Sequence, residues 1–197
     1  MPLAFEVVPA RIVFDVALAL FAAGELTIRF RTARNRASQG TIEWGSLVVV
    51  VAGFGFGIGG AVIIAAHLTW AAIPFARVAL FVIGVALMVL GTAFRAWSVI
   101  VLGRNFTVYV QVRDEQPVVE TGPYRLLRHP SYTGLLAVCL GIGLALGNWL
   151  ALIVVVVLPT IAIVVRIRVE ERALLAGIGE PYRRFAATRK RLIPWVW

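Results

Sequence analysis

The chain has 197 residues, 60% of them hydrophobic and 15% charged, with a mean hydropathy of +0.90 and a formal net charge of +9. A soluble domain of this length cannot hide so much apolar surface, so lipid is the expected solvent. The positive charge then reads as the Lys/Arg excess of cytosolic membrane loops rather than a nucleic-acid footprint, and the lone Cys139 excludes an internal disulfide.

A membrane-spanning helix needs about 20 mostly apolar residues. Five stretches qualify in chain order: Ile12–Ile28, Gly45–His67, Phe75–Ile100, Tyr132–Gly147 and Trp149–Val165. The predicted fold is therefore all-α, a polytopic membrane helical bundle of about five transmembrane helices in one domain over residues 1–197. Residues 1–103 form a three-span scaffold, and residues 104–197 carry two spans and a basic tail. The first span follows Glu6 and contains Asp15 and Glu25, unlike the apolar core of a removable signal peptide. Helical spacing predicts that Asp15 pairs with Arg11 and Glu25 with Arg29.

The second span contains GFGFGIGG at Gly53–Gly60, which matches GxGxxG at Gly55, Gly57 and Gly60. That fingerprint carries meaning only between a strand and a helix. Inside an apolar span the glycines read as close helix packing, and no Rossmann domain is expected. The fourth and fifth spans meet at Gly147-Asn148 as a tight helical hairpin. Lys and Arg gather at Arg29, Arg31, Arg34 and Arg36, along 104–128 and after Arg166, against Arg11 and Arg77 elsewhere. This places the N-terminus outside and the C-terminus in the cytosol. Eighteen arginines against one lysine hint at a GC-rich bacterial source, and so at a bacterial cytoplasmic membrane.

Chemistry concentrates in GPYRLLRHPSYTG, residues 122–134. Pro130 suits the first position of a helix, so the fourth helix should begin at His129-Pro130, with its N-terminus available to an anionic ligand group. Gly134 would leave room for a ligand against the backbone, and Tyr124 and Tyr132 offer faces and hydroxyls to an adenine or ribose. Tyr, Arg and His also collect at membrane interfaces without any binding role. The spacing of Gly, Pro, His, Pro, Tyr and Gly favours binding. A second cluster, RIRVEERALLAGIGEPYRRF, places Arg166 and Glu170 on one helix face. They read either as a surface ion pair or as a substrate-carboxylate receptor beside a cofactor ligand. The basic run Tyr182–Arg191 and the terminal tryptophans read as a helix lying on anionic lipid.

Together these pieces resemble the isoprenylcysteine carboxyl methyltransferase family of integral membrane enzymes, within a wider group that includes phospholipid methyltransferases. The resemblance spans about residues 105–194. It rests on Asn105-Phe106, GPYRLLRHPSYTG, Glu170-Glu171, GEPYRRF, and Arg191 with Pro194, and RHPSY is its most specific part. It implies a helical bundle holding S-adenosylmethionine at its cytosolic end, with no metal. Carried over residue by residue, the cofactor positions fall on Gln111, Gln116, Val118, Val119, Tyr124, His129, Pro130, Ser131, Tyr132 and Glu170. The substrate-facing arginine falls on Arg166. A carboxylate acceptor is ionised at neutral pH and needs no general base, and His67 lies near the opposite face. The predicted substrate is thus the carboxylate of an isoprenoid- or lipid-type molecule, entering sideways from the membrane.

Two rival readings remain. Membrane reductases using NADPH, similar to the sterol reductases, share a His-Pro-x-Tyr-x-Gly run but should carry an acidic residue where this chain has Leu135. A small transporter or scaffold would place polar groups near the bilayer midplane, often in two related halves, and no internal repeat is visible.

Overall fold

The computed structural model describes residues 3–33, 44–107, 117–193 and 197. Seven α-helices are described: α1 (Leu3–Glu6), α2 (Val8–Ala33), α3 (Gly45–His67), α4 (Arg77–Leu102), α5 (Pro130–Leu146), α6 (Trp149–Gly177) and α7 (Glu180–Thr188). Among the described residues the only β-pairings are two isolated bridges, Ala72 with Asn148 and Leu127 with Lys190. All five predicted spans are helical, but three of the helices, α3, α4 and α6, are long and apolar enough to cross a membrane by length and composition. The other two differ for physical reasons. Helix α5 has 17 residues, and α2 has 26 but is interrupted by Arg11, Asp15, Glu25, Arg29 and Arg31.

Helix α6 runs well past the predicted end at Val165. Its 29 residues span about 43 Å at ~1.5 Å per residue, against about 30 Å of hydrocarbon. The excess carries Glu170 and Glu171 past about 30 Å of helix and leaves Arg166 near that limit. The hairpin into it is tight as predicted: Gly147 takes a left-handed conformation at φ 54° and Asn148 caps α6. Asn148 is fully buried; its Oδ1 accepts from the Ala151 N–H at 3.1 Å and its Nδ2 donates to the Leu68 carbonyl at 2.9 Å.

Glycines set the helix crossings. A Cβ on Gly53 would lie 2.6 Å from Ala162 Cβ, and one on Gly57 would lie 2.9 Å from Pro159 Cδ, so α3 and α6 nearly touch there. The packing reading of GFGFGIGG holds at these two positions. Between α4 and α5 the same device recurs at Gly84, Gly91, Gly134 and Gly141. A Cβ on Gly134 would stand 2.7 Å from the Gly91 carbonyl oxygen and 2.9 Å from Arg95. The expectation that Gly134 makes room for a ligand is therefore corrected: its bare Cα seats α4.

The ionisable groups of α2 divide. Asp15 pairs with Arg11 at 3.7 Å, as the spacing predicts. Glu25 does not go to Arg29; its two carboxylate oxygens accept from Nε and Nη2 of Arg95 on α4, the latter at 2.8 Å. Arg95 is buried, and a cation held among apolar helices must find an anion, which overrides the local helical spacing.

Candidate active site

Pro130 starts α5 with His129 as its N-cap, as its missing N–H and fixed φ dictate. Just before it, the backbone is gripped by the C-terminal tail. The N–H groups of Arg128 and His129 donate to the carbonyls of Lys190 and Arg191 at 2.8 and 3.0 Å, and Thr133 Oγ1 donates to the Leu192 carbonyl at 2.7 Å. Glu171 on α6 ties the pieces together. Its carboxylate faces Arg128 Nη1 at 3.0 Å, His129 Nε2 at 3.3 Å, and Arg191 Nε and Nη2 at 3.0 and 2.9 Å. A buried carboxylate with three such partners fixes geometry more than it adds net stability.

This corrects the reading of the tail as a helix lying on lipid. The apolar side of α7 turns inward, burying Tyr182 and Phe185. Arg189 donates to Glu120 at 2.6 Å, and the Arg191 guanidinium sits 5.1 Å from the Trp197 ring. Those cations hold protein together.

The end of α4, residues 105–107 and 117–124, the start of α5, the end of α6 and α7 enclose a narrow polar groove with about 90 Å³ of free volume. At its floor Tyr132 Oη donates to Glu170 Oε2 at 2.8 Å and accepts from Arg166 Nε at 3.4 Å, while Arg166 Nη1 donates to Ser46 Oγ at 2.6 Å. Tyr132 thus stands between the two residues whose spacing left their roles open. With Arg166 buried, a solvent-exposed surface pair is excluded. The rings of His129 and Tyr132 stack at 5.7 Å. Burial, then the nearby Glu170, pushes the Tyr124 phenol above its ordinary pKa, and burial with Glu171 and Glu170 does the same at Tyr182. Both are neutral donors at physiological pH. Tyr182 Oη is buried and has no hydrogen-bond partner among the described residues, although Tyr182 lines the groove.

Val118, Val119, Tyr124, His129, Ser131, Tyr132, Glu170 and Arg166 all line this groove. Pro130 is fully buried at the helix start and is not among the residues that line the groove. Gln111 and Gln116 lie outside the described residues. Sequence reasoning missed Glu171 as the central anchor, Tyr182 as a residue of the groove's lining, and Arg95, whose Nη1 donates to Ser131 Oγ at 2.8 Å. The signals were present: a second glutamate after Glu170, the tyrosine of GEPYRRF, and one arginine in an apolar span.

A second groove of about 420 Å³ lies beside the first, lined by α2, α3, α4 and α5. Phe21, Ile28, Val51, Phe54, Ile58 and Leu135 make it apolar, while Glu25, Arg29, Arg95 and Arg166 give it a polar end. Phe106, Thr107, Tyr132 and Arg166 line both grooves, which therefore meet at that junction.

The Phospholipid methyltransferase family profile matches residues 79–178. Over 115 residues the chain is 31% identical to protein-S-isoprenylcysteine O-methyltransferase B of Arabidopsis thaliana, covering 57% of this chain and 58% of that protein. It is 33% identical over 103 residues to the Saccharomyces cerevisiae protein-S-isoprenylcysteine O-methyltransferase, covering 51% and 43%. The chain thus spans less than two thirds of the length of these relatives. The solved structure of the eukaryotic intramembrane Ras methyltransferase ICMT (isoprenylcysteine carboxyl methyltransferase) superposes with a TM-score of 0.73 at 20% identity, over 98% of this chain and 70% of that one. The helical membrane fold expected from RHPSY and its companions is borne out.

Proposed function

We propose that this chain, which belongs to the phospholipid methyltransferase family, transfers a methyl group from S-adenosylmethionine to a carboxylate on an isoprenoid- or lipid-type molecule at the cytosolic membrane face. The observation that carries this reading is the junction. Arg166 and Tyr132 line a polar groove on one side and an apolar groove on the other, which suits a water-soluble donor meeting a lipophilic acceptor. The arginine-rich end that holds both grooves is the cytosolic one by charge, and the arginine-dominated composition underlies a bacterial cytoplasmic membrane as the location.

The polar groove fits the donor on its own chemistry. Tyr182 Oη is a buried, unpartnered hydroxyl that a ligand would satisfy. Glu170 is the anion for an ammonium or a ribose diol, Tyr124 adds a neutral hydroxyl, and Val118, Val119, Leu174 and Phe185 offer apolar walls to a flat base. When bound, S-adenosylmethionine supplies a methyl already activated by its cationic sulfur, so the chain's task is alignment. Arg166 holds the acceptor carboxylate as a cationic fork. Tyr132, held between Arg166 and Glu170, fixes the distance between the two binding halves. No proton needs removing from a carboxylate, in keeping with a His129 committed to Glu171. An ammonium head group would face Arg29 and Arg166 beside the paired Glu25 and Arg95, a net positive end that disfavours amine acceptors.

The reductase alternative is weakened at Leu135, which is 5% exposed and lines the apolar groove where an acidic residue would be required. Calorimetry on the detergent-purified protein with S-adenosylmethionine, S-adenosylhomocysteine and NADPH, alongside His129→Ala, tests the proposal. The first two should bind the parent and fail to bind the variant. Binding of NADPH alone would overturn it.

A further inference from the structure

We infer that Gly55 and Gly59 set the bore of the apolar groove and thereby select the acceptor's chain, an inference that rests on the methyltransferase reading above. The two lie four residues apart in α3 and share a face. Gly53 and Gly57 are needed for the close approach of α6, but a Cβ on Gly55 or Gly59 would meet no heavy atom within 4 Å. Neither has a positive φ. Packing and conformation therefore leave both free to be alanine, which would make a better helix. Both are exposed and line the apolar groove, so the missing side chains leave open space at its wall.

The occupant is one extended apolar chain with an anionic head. The head belongs at the end where Arg29 and Arg166 flank the paired Glu25 and Arg95, a net positive end continuous with the junction to the polar groove. Along α3 the lining runs from Leu47 to Gly59, about 18 Å at ~1.5 Å per residue, a length comparable with an extended farnesyl group. Gly55 lies about two thirds of the way from Leu47 along that path and Gly59 at its far end. Most of the wall comes from α2 and α3, outside the stretch that the family profile matches. Chain selection would thus rest on helices outside the stretch that the family profile matches.

The test uses the full chain in lipid nanodiscs with N-acetyl-S-geranylcysteine, N-acetyl-S-farnesylcysteine and N-acetyl-S-geranylgeranylcysteine, each competing against a fluorescent farnesylcysteine. Gly59→Leu should weaken the two longer probes by about tenfold while sparing the geranyl compound, and Gly55→Leu should weaken all three by about that factor. Phe56→Ala, at a position 74% exposed on α3, should change none. Calorimetry with S-adenosylmethionine reports folding in each variant, and Gly55→Ala and Gly59→Ala should give smaller losses in the same order if leucine is not tolerated. Leucine variants that bind the cofactor and all three probes like the parent would overturn the inference. So would a parent that binds the cofactor but no probe. A parent that fails to bind S-adenosylmethionine would instead overturn the methyltransferase reading.

Discussion

The two grooves meet at Tyr132 and Arg166, yet they are built in opposite ways. The polar groove is held by a charged lattice: Glu171 with Arg128, His129 and Arg191, and Tyr132 between Glu170 and Arg166. The apolar groove is shaped by aliphatic and aromatic side chains and by glycines that leave space unfilled, with Glu25 and Arg95 at its polar end. A lattice of fixed partners makes a rigid groove, as the proposed cofactor site requires, since each buried charge tolerates few arrangements. A groove made of omitted atoms is adjustable, because one substitution changes its bore without breaking a bond.

Glu171→Ala breaks this contrast most directly. It leaves two arginines and a histidine without their shared anion, and breaking such a buried pair costs about 3–5 kcal/mol. The lower end applies because the Arg191 side chain is 36% exposed. Thermal unfolding in detergent should show the loss, with cofactor binding lost beside it. Unchanged melting would mean that apolar packing holds the polar groove as well.

Arg166→Ala and Glu170→Ala separate the two sides of the junction. Arg166→Ala should leave S-adenosylmethionine binding intact and lower kcat by about 10²–10³, the range for removing one charge-stabilising donor. Glu170→Ala should weaken cofactor binding by at least about tenfold, as expected for a hydrogen bond to a charged group. Calorimetry and single-turnover rates on both variants decide the matter. Equal cofactor affinity in Glu170→Ala and the parent would remove Glu170 from the donor side.

What the sequence made legible follows the same division. Polar residues whose burial is expensive stand out in an apolar chain and carry the family resemblance, and eight of the eleven site positions that the resemblance implies, from Val118 to Glu170, line the polar groove. Pro130 was found for its backbone role, and the two glutamines lie outside the described residues. The partners were less legible. Glu25 has Arg29 one turn away, and nothing local says that Arg95, seventy residues on, takes its carboxylate. Gly134 and Gly55 look alike on paper, but one seats a neighbouring helix and the other faces open space. The basic tail reads as a lipid contact until Tyr182 and Phe185 are seen to be buried. Periodicity locates helices; which face meets which neighbour is a tertiary fact.

Tyr182→Phe has the smallest expected effect and the sharpest meaning. The hydroxyl is buried without a partner among the described residues, so removing it should leave the ligand-free melting temperature unchanged or slightly raised. If the groove holds the donor through that hydroxyl, the same variant loses about 0.5–1.5 kcal/mol of S-adenosylmethionine affinity, the usual net worth of one neutral hydrogen bond. Stability and affinity would then move in opposite directions, which a merely structural tyrosine could not produce. Equal affinity in parent and variant would take Tyr182 out of the site and leave Glu170 and Tyr124 as the groove's polar contacts.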